Sequence, residues 1–170
     1  MSDYIDINGL GHYDGLIKAY IDAFIVGPNE NLCPQDAASW EQGGISATGG
    51  NLSRTHTIRL KNAERFEVTG GTPYLIDIQD GYTVNIKPYN SAGTFYEDPN
   101  LAANHIQNYP FIWVPDRDGY LRMTCTIDGS TAFTPSGIEN ALPIVRKATM
   151  AEIADVLYRV EIHSGYATGT

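Results

Sequence analysis

Apolar residues recur at alternating steps of three and four from Leu10 through Tyr13, Ile17 and Tyr20 to Phe24. That is the a/d spacing of a coiled-coil seam. It predicts an amphipathic helix over residues 9–26, with Asn8 as N-cap and with Leu16 and Ile21 widening the stripe. So short a helix is marginal alone in water and needs a partner surface, either its own domain or copies of itself. Gly27 at C′ and Pro28 after it end the pattern.

From Leu32 onward the period changes from helical to alternating. Thr57 and Arg59 share one face of a strand and Ile58 and Leu60 the other, and Phe66 and Val68 point inward from a second strand. Further strands are predicted over 74–78, 82–86, 94–96, 111–114 and 120–127. Turns are predicted at Gln79–Gly81, Tyr89–Gly93 and Asp116–Gly119. Short strands separated by turns point to a β-sandwich and not to βαβ units. Near the end, Thr149 with Glu152 three residues on reads as a capping box. It opens a helix striped by Met150, Ile153, Ala154, Leu157 and Val160. The expected organisation is a helical stem over 1–27, a β-sandwich over 28–145, and a C-terminal helix and tail over 146–170.

Composition supports a turn-rich β protein. Of the 170 residues 42% are hydrophobic, 17 are Gly and 11 are Tyr, and only 18% are charged. Strands favour aromatics and their turns need Gly. A net charge of −9 with no Lys/Arg cluster would repel phosphate backbones, so nucleic acid and anionic membranes are not expected partners. No apolar run approaches the ~20 residues of a membrane span. The opening segment lacks the basic and apolar regions of a signal peptide, so synthesis in the cytoplasm is expected. Cys33 and Cys125 fit no CxxC pattern; a disulfide stays open, with buried free thiols the simpler reading.

The run Asn31-Leu32, Trp40-Glu41-Gln42-Gly43, Ile58-Arg59, Tyr89 to Gly93, and Pro115 followed by Gly119-Tyr120-Leu121-Arg122 has a family look. It resembles the carbohydrate-binding-module-like jelly rolls of phage tail-fibre, baseplate and minor structural proteins. In those modules an N-L, W-E-x-G-x-I opening leads to an R-I-R strand and later to a P-x-G-x-Y-I-R hairpin. The segment from Ile5 to Ile21 resembles the helical opening of such phage proteins. The pattern departs where R-I-R is Thr57-Ile58-Arg59, and the C-terminal helix has no counterpart. The resemblance implies a mainly β, jelly-roll-like antiparallel sandwich in a virion, flanked by the two helices.

Candidate chemistry is sparse. No GxSxG, Walker A, HExxH or paired-Cys zinc motif is present, and the four histidines are scattered. Asp116-Arg117-Asp118-Gly119 has the look of a calcium loop but lacks the later acidic ligand, so a hairpin turn explains it more simply. Glu97 and Asp98 read as turn acids and not as a glycosidase pair. No enzyme, cofactor or metal is therefore expected. Aromatic rings that could pack on sugar faces, with polar neighbours for the hydroxyls, make Tyr89, Asn90, Tyr96, Trp113 and Arg117 the candidate ligand contacts. Leu10, Tyr13, Ile17, Tyr20 and Phe24 are the candidate oligomerisation positions. The expected protein is a non-enzymatic virion appendage. It would be a homotrimer through its N-terminal helix, would touch other virion proteins, and would present the sandwich to host-surface or mucin glycans. A capsid-attached head fibre or decoration protein with a purely structural sandwich is the alternative.

Overall fold

A computed structural model describes residues 30–101 and 110–154. The described fold is mainly β and its strands pair antiparallel. In chain order they are β1 (Trp40–Gln42), β2 (Gly44–Ile45), β3 (Asn51–Leu52), β4 (Ile58–Leu60), β5 (Phe66–Val68), β6 (Tyr74–Asp77), β7 (Thr83–Asn90), β8 (Phe111–Trp113), β9 (Gly119–Thr126) and β10 (Ile144–Lys147).

The long strand β9 organises the larger sheet. On one side it pairs with β7 over its full length, from Thr83 opposite Thr126 to Asn90 opposite Gly119. On the other side it is shared by two short strands. Ile58 and Arg59 of β4 face Cys125 and Thr124, and Phe66–Val68 of β5 face Leu121–Gly119. Between them residues 61–65 leave the ladder through the 3-10 turn Asn62–Glu64. β1 completes the sheet beyond β4. A smaller sheet has the order β10-β6-β8, and β2 and β3 form a hairpin.

Alternation turns one face of each sheet inward. Ile58, Leu60, Val84, Ile86, Leu121, Met123 and Cys125 from the larger sheet share one core cluster with Tyr74, Ile76, Trp113 and Val145 from the smaller. Fully burying such an aliphatic side chain stabilises by about 1.5–3 kcal/mol, so this cluster is the main source of stability. The short helix Ile138–Ala141 adds Ile138 and Ala141, both fully buried, and ends at Leu142, whose left-handed φ of 43° stops it. The two buried indoles find acceptors, as burial requires. Trp40 Nε1 donates to the Pro34 carbonyl at 2.9 Å and Trp113 Nε1 to Asp98 Oδ2 at 3.2 Å.

The edge of β10 away from β6 is occupied by the segment at Asn31. Leu32 N–H donates to Val145 O at 2.7 Å. The Asn31 amide accepts from Val145 N–H at 2.9 Å and donates to Pro143 O at 2.9 Å.

Several expectations meet the structure directly. β5, β6, β8 and β9 fall where strands are expected, within a residue or two. The strand expected over 94–96 is reduced to a single bridge, Tyr89 to Phe95. β7 instead runs on to Asn90 through Pro88, which an edge strand tolerates because its proline need not donate to a neighbour. β1, β2, β3 and β10 were not predicted. Both cysteines are buried free thiols, with Cys33 Sγ 3.3 Å from Met123 Sδ.

Contacts divide the chain into Asn31–Ala148 and a second unit of Met1–Glu30 with Thr149–Thr170. In the second unit the capping box is formed: Glu152 Oε2 accepts from Thr149 N–H at 2.8 Å and Thr149 Oγ1 from Glu152 N–H at 3.3 Å. The predicted helix over 9–26, with Leu10, Tyr13, Ile17, Tyr20 and Phe24, lies outside the described residues, as do Leu157 and Val160.

Candidate functional site

The same alternation that builds the core lays polar side chains on the outer face of the larger sheet. One row crosses it from Glu41 through Arg59 and Thr124 to Asn85. Thr83 and Thr126 form the next row on one side, and Lys87 and Arg122 on the other. The hairpin β2–β3 is tied to this face from several points. Arg59 Nη1 donates to the carbonyls of Gly44 at 3.0 Å and Leu52 at 2.8 Å, while its Nε pairs with Glu41 at 2.8 Å. Tyr89 donates its hydroxyl to Gly49 O at 2.7 Å, and Arg122 Nη1 reaches Asn51 Oδ1 at 3.2 Å.

Beside the hairpin this face opens into a cleft of about 150 Å³. Gly44, Ile45 and Arg54 form one wall, Thr57, Thr83, Asn85, Thr124 and Thr126 the floor, and His56 and Gly129 the end. A void near 150 Å³ holds a six-membered ring such as benzene, which sets the scale of an occupant at about one ring. Asn85 Oδ1 is buried in the floor and accepts no hydrogen bond among the described residues. A buried acceptor without a donor is uncommon in folded proteins and calls for a reason. Thr126 is engaged, donating to His56 O at 2.6 Å and accepting from Gly129 N–H at 3.1 Å. Thr57 and Thr124 are buried, with 6% and 8% of their surface exposed. Gly44 makes room for the wall, because a Cβ there would sit 3.1 Å from Arg54 Cδ.

The residues singled out from sequence lie elsewhere. Trp113 is a core residue, 1% exposed, and offers no face to a ligand. Its burial follows from pairing opposite Tyr74, whose ring lies 6.2 Å away in the core. Tyr89 is also buried, edge-on to Phe95 with centroids 6.0 Å apart. Asn90 caps its turn, its Oδ1 accepting from Thr94 N–H at 2.9 Å. Tyr96 and Arg117 do come together: the guanidinium sits 4.5 Å above the ring while pairing through Nη2 with Asp116 at 2.6 Å. Burial, then the nearby Asp98 and Asp116 carboxylates, push the Tyr96 phenol well above its usual range. Asp98, 4% exposed, anchors this cluster. It accepts from Trp113 Nε1 and Asp116 N–H at 3.2 Å each and from Asn100 N–H at 2.8 Å. Four of the five residues therefore spend their polar groups on the protein itself.

Asp118 likewise serves the fold, accepting from Gly70 N–H at 2.8 Å. Among the described residues no three His, Cys, Asp or Glu side chains group as a metal site, and no helix is long and apolar enough to cross a membrane. Sequence reading missed the cleft residues, although a signal was present. Thr83, Asn85 and Lys87 alternate along β7, and Arg122, Thr124 and Thr126 along β9. In comparisons with known proteins, no family model, curated protein or solved structure matches the chain.

Proposed function

We propose that the chain is a non-enzymatic phage virion protein, part of a tail fibre, baseplate or similar appendage, whose jelly-roll sandwich binds glycans. In this reading its N-terminal segment assembles it as a homotrimer with other virion proteins around it, and host-surface or mucin glycans are its external partners.

Strand order supports the jelly roll. Taking β4 and β5 as one interrupted strand, the order on the larger sheet is β4/β5, β9, β7 and then the bridge at Phe95. On the smaller it is the Asn31 segment, β10, β6 and β8. From β5 onward each strand named in these two orders lies in the other sheet from its predecessor, apart from the adjacent Phe95 bridge. That interleaving is the one expected of two Greek keys, an architecture of viral capsid and lectin domains.

The observation that carries the glycan reading is the unpartnered Asn85 Oδ1 in a ring-sized cleft floored by threonine hydroxyls. A sugar hydroxyl supplies the missing donor, and its neighbours can pair with the hydroxyls of Thr57 and Thr124. The lining residues include no pair of carboxylates such as glycoside hydrolysis uses, which favours binding over cleavage.

The test is a glycan-array screen of the full chain and of Asn85→Ala, with the solution mass of both measured by light scattering. The expected result is a trimer that binds a defined glycan class and a variant trimer that binds at least tenfold more weakly. An oligomer with no glycan signal would overturn the binding reading in favour of a head-fibre or decoration subunit. A monomer would overturn assembly through the N-terminal segment.

A further inference from the structure

We infer that the ligand of the cleft carries a negative charge, a carboxylate or phosphate group on a hydroxylated ring. The inference rests on the glycan-binding reading and sharpens it.

Arg54 is the one Lys or Arg side chain that lines the cleft, and no Asp or Glu is among the lining residues. In a chain with a net charge of −9 this is a reversal of the general surface. Arg54 is exposed and forms no ion pair with a described Asp or Glu. Its stem lies against Gly44, which places the guanidinium at the rim and leaves its planar fork open to a carboxylate or phosphate.

The sheet beneath adds to the field. One residue pair beyond Asn85 and Thr124, Lys87 and Arg122 stand opposite each other across β7 and β9. Both are largely buried, at 9% and 3% exposed. Arg122 is satisfied by neutral acceptors, the Leu60 carbonyl and the Asn51 amide, which leave its charge in place. Lys87 sits over the Phe95 ring at 5.7 Å. Glu97 is the carboxylate whose field reaches Lys87, and it is not among the cleft-lining residues. Two further cations in a partly dehydrated face attract an anion more strongly than the same charges in open water. A neutral sugar would use Asn85 and the threonines but leave Arg54 and this field without a counterpart.

The experiment is an NMR titration of the full chain at low salt with galactose, galacturonate and galactose 6-phosphate, which differ only in the group at C6. Expected are shifts at Thr57, Asn85 and Thr124, with one or both acidic sugars binding at least about tenfold more tightly than galactose. That advantage, measured against galactose on the same protein, should shrink as salt is raised and fall several-fold in Arg54→Gln. Carboxylate and phosphate are told apart by which acidic sugar gains more. Equal affinity for all three, or an advantage undiminished in Arg54→Gln, overturns the inference and leaves glycan binding standing. No shift with any of the three also overturns it, and the glycan reading falls with it only if the array is blank.

Discussion

Arg122 donates both Nε and Nη2 to the carbonyl oxygen of Leu60, at 3.1 and 2.9 Å. Leu60 is the last residue of β4 before the chain leaves the β9 ladder, so its carbonyl has no strand partner beyond it. The guanidinium replaces the missing backbone donor and bridges the break between β4 and β5.

Truncating Arg122 should therefore be costly out of proportion to its exposure. Arg122→Met keeps the stem but leaves a buried carbonyl unpaired, at a cost of about 2–4 kcal/mol. Urea denaturation should show a lower midpoint at unchanged slope. A loss under 1 kcal/mol would mean that water reaches Leu60 O.

Asp98 is the second polar residue on which local order depends. It accepts from one indole and two backbone N–H groups, and hydrogen bonds to a charged group contribute about 1.5–3 kcal/mol each. Asp98→Ala should lower stability by about 3 kcal/mol and change the fluorescence of Trp113. Normal thermal unfolding in that variant would contradict the network.

Asn85 should behave in the opposite way. Its Oδ1 makes no hydrogen bond, so Asn85→Val removes an uncompensated buried acceptor and places a β-branched residue in a strand. Stability is expected to rise by about 1 kcal/mol while glycan binding is lost. A variant less stable than the parent would show that the amide is structural after all.

Acid sensitivity follows from Asp128. Its carboxylate accepts from Ser130 and Thr131 N–H and from both hydroxyls, and the backbone N–H of Thr131 chiefly holds its pKa far below the usual range. A depressed folded pKa contributes stability that is complete above the unfolded value of about 3.9 and is lost as pH falls through the folded one. Urea midpoints measured at pH 7 and pH 3 should therefore converge more in Asp128→Asn than in the parent. An identical pH dependence in both proteins would assign the acid response to other groups.

Both thiols should resist labelling in the native state. Cys33 and Cys125 are 2% and 0% exposed, and burial pushes both well above the usual thiol range, with Cys125 adding to the effect on Cys33. A chromogenic disulfide reagent should react with neither until denaturant is added, and then with both. Prompt reaction of either would reveal local opening near Met123.

What the sequence made legible is what repeats locally. The alternation of Phe66 with Val68, or of Leu121, Met123 and Cys125, is visible without a structure because a strand has a period of two. β2 and β3 have two residues each and no period to show. The cleft was hidden for a different reason. Its floor joins Thr57, just before β4, with Asn85 and Thr124, distant in the chain, and only the pairing of β4 and β7 with β9 brings them together. The residues that carry the phage-module resemblance turn out to be scaffold. Asn31 clamps β10, Trp40 fills the core, Arg59 pairs with Glu41, and Arg122 bridges the β4–β5 break. A likeness resting on such positions speaks to the frame and says nothing about the ligand.

The placement of β9 also governs the order of events during synthesis. β4, β5 and β7 all pair with it, yet all precede it in the chain. As the polypeptide leaves the ribosome, these strands wait with unsatisfied edges until Gly119–Thr126 emerges. Pairing so distant in sequence makes folding slow and leaves the nascent chain open to aggregation.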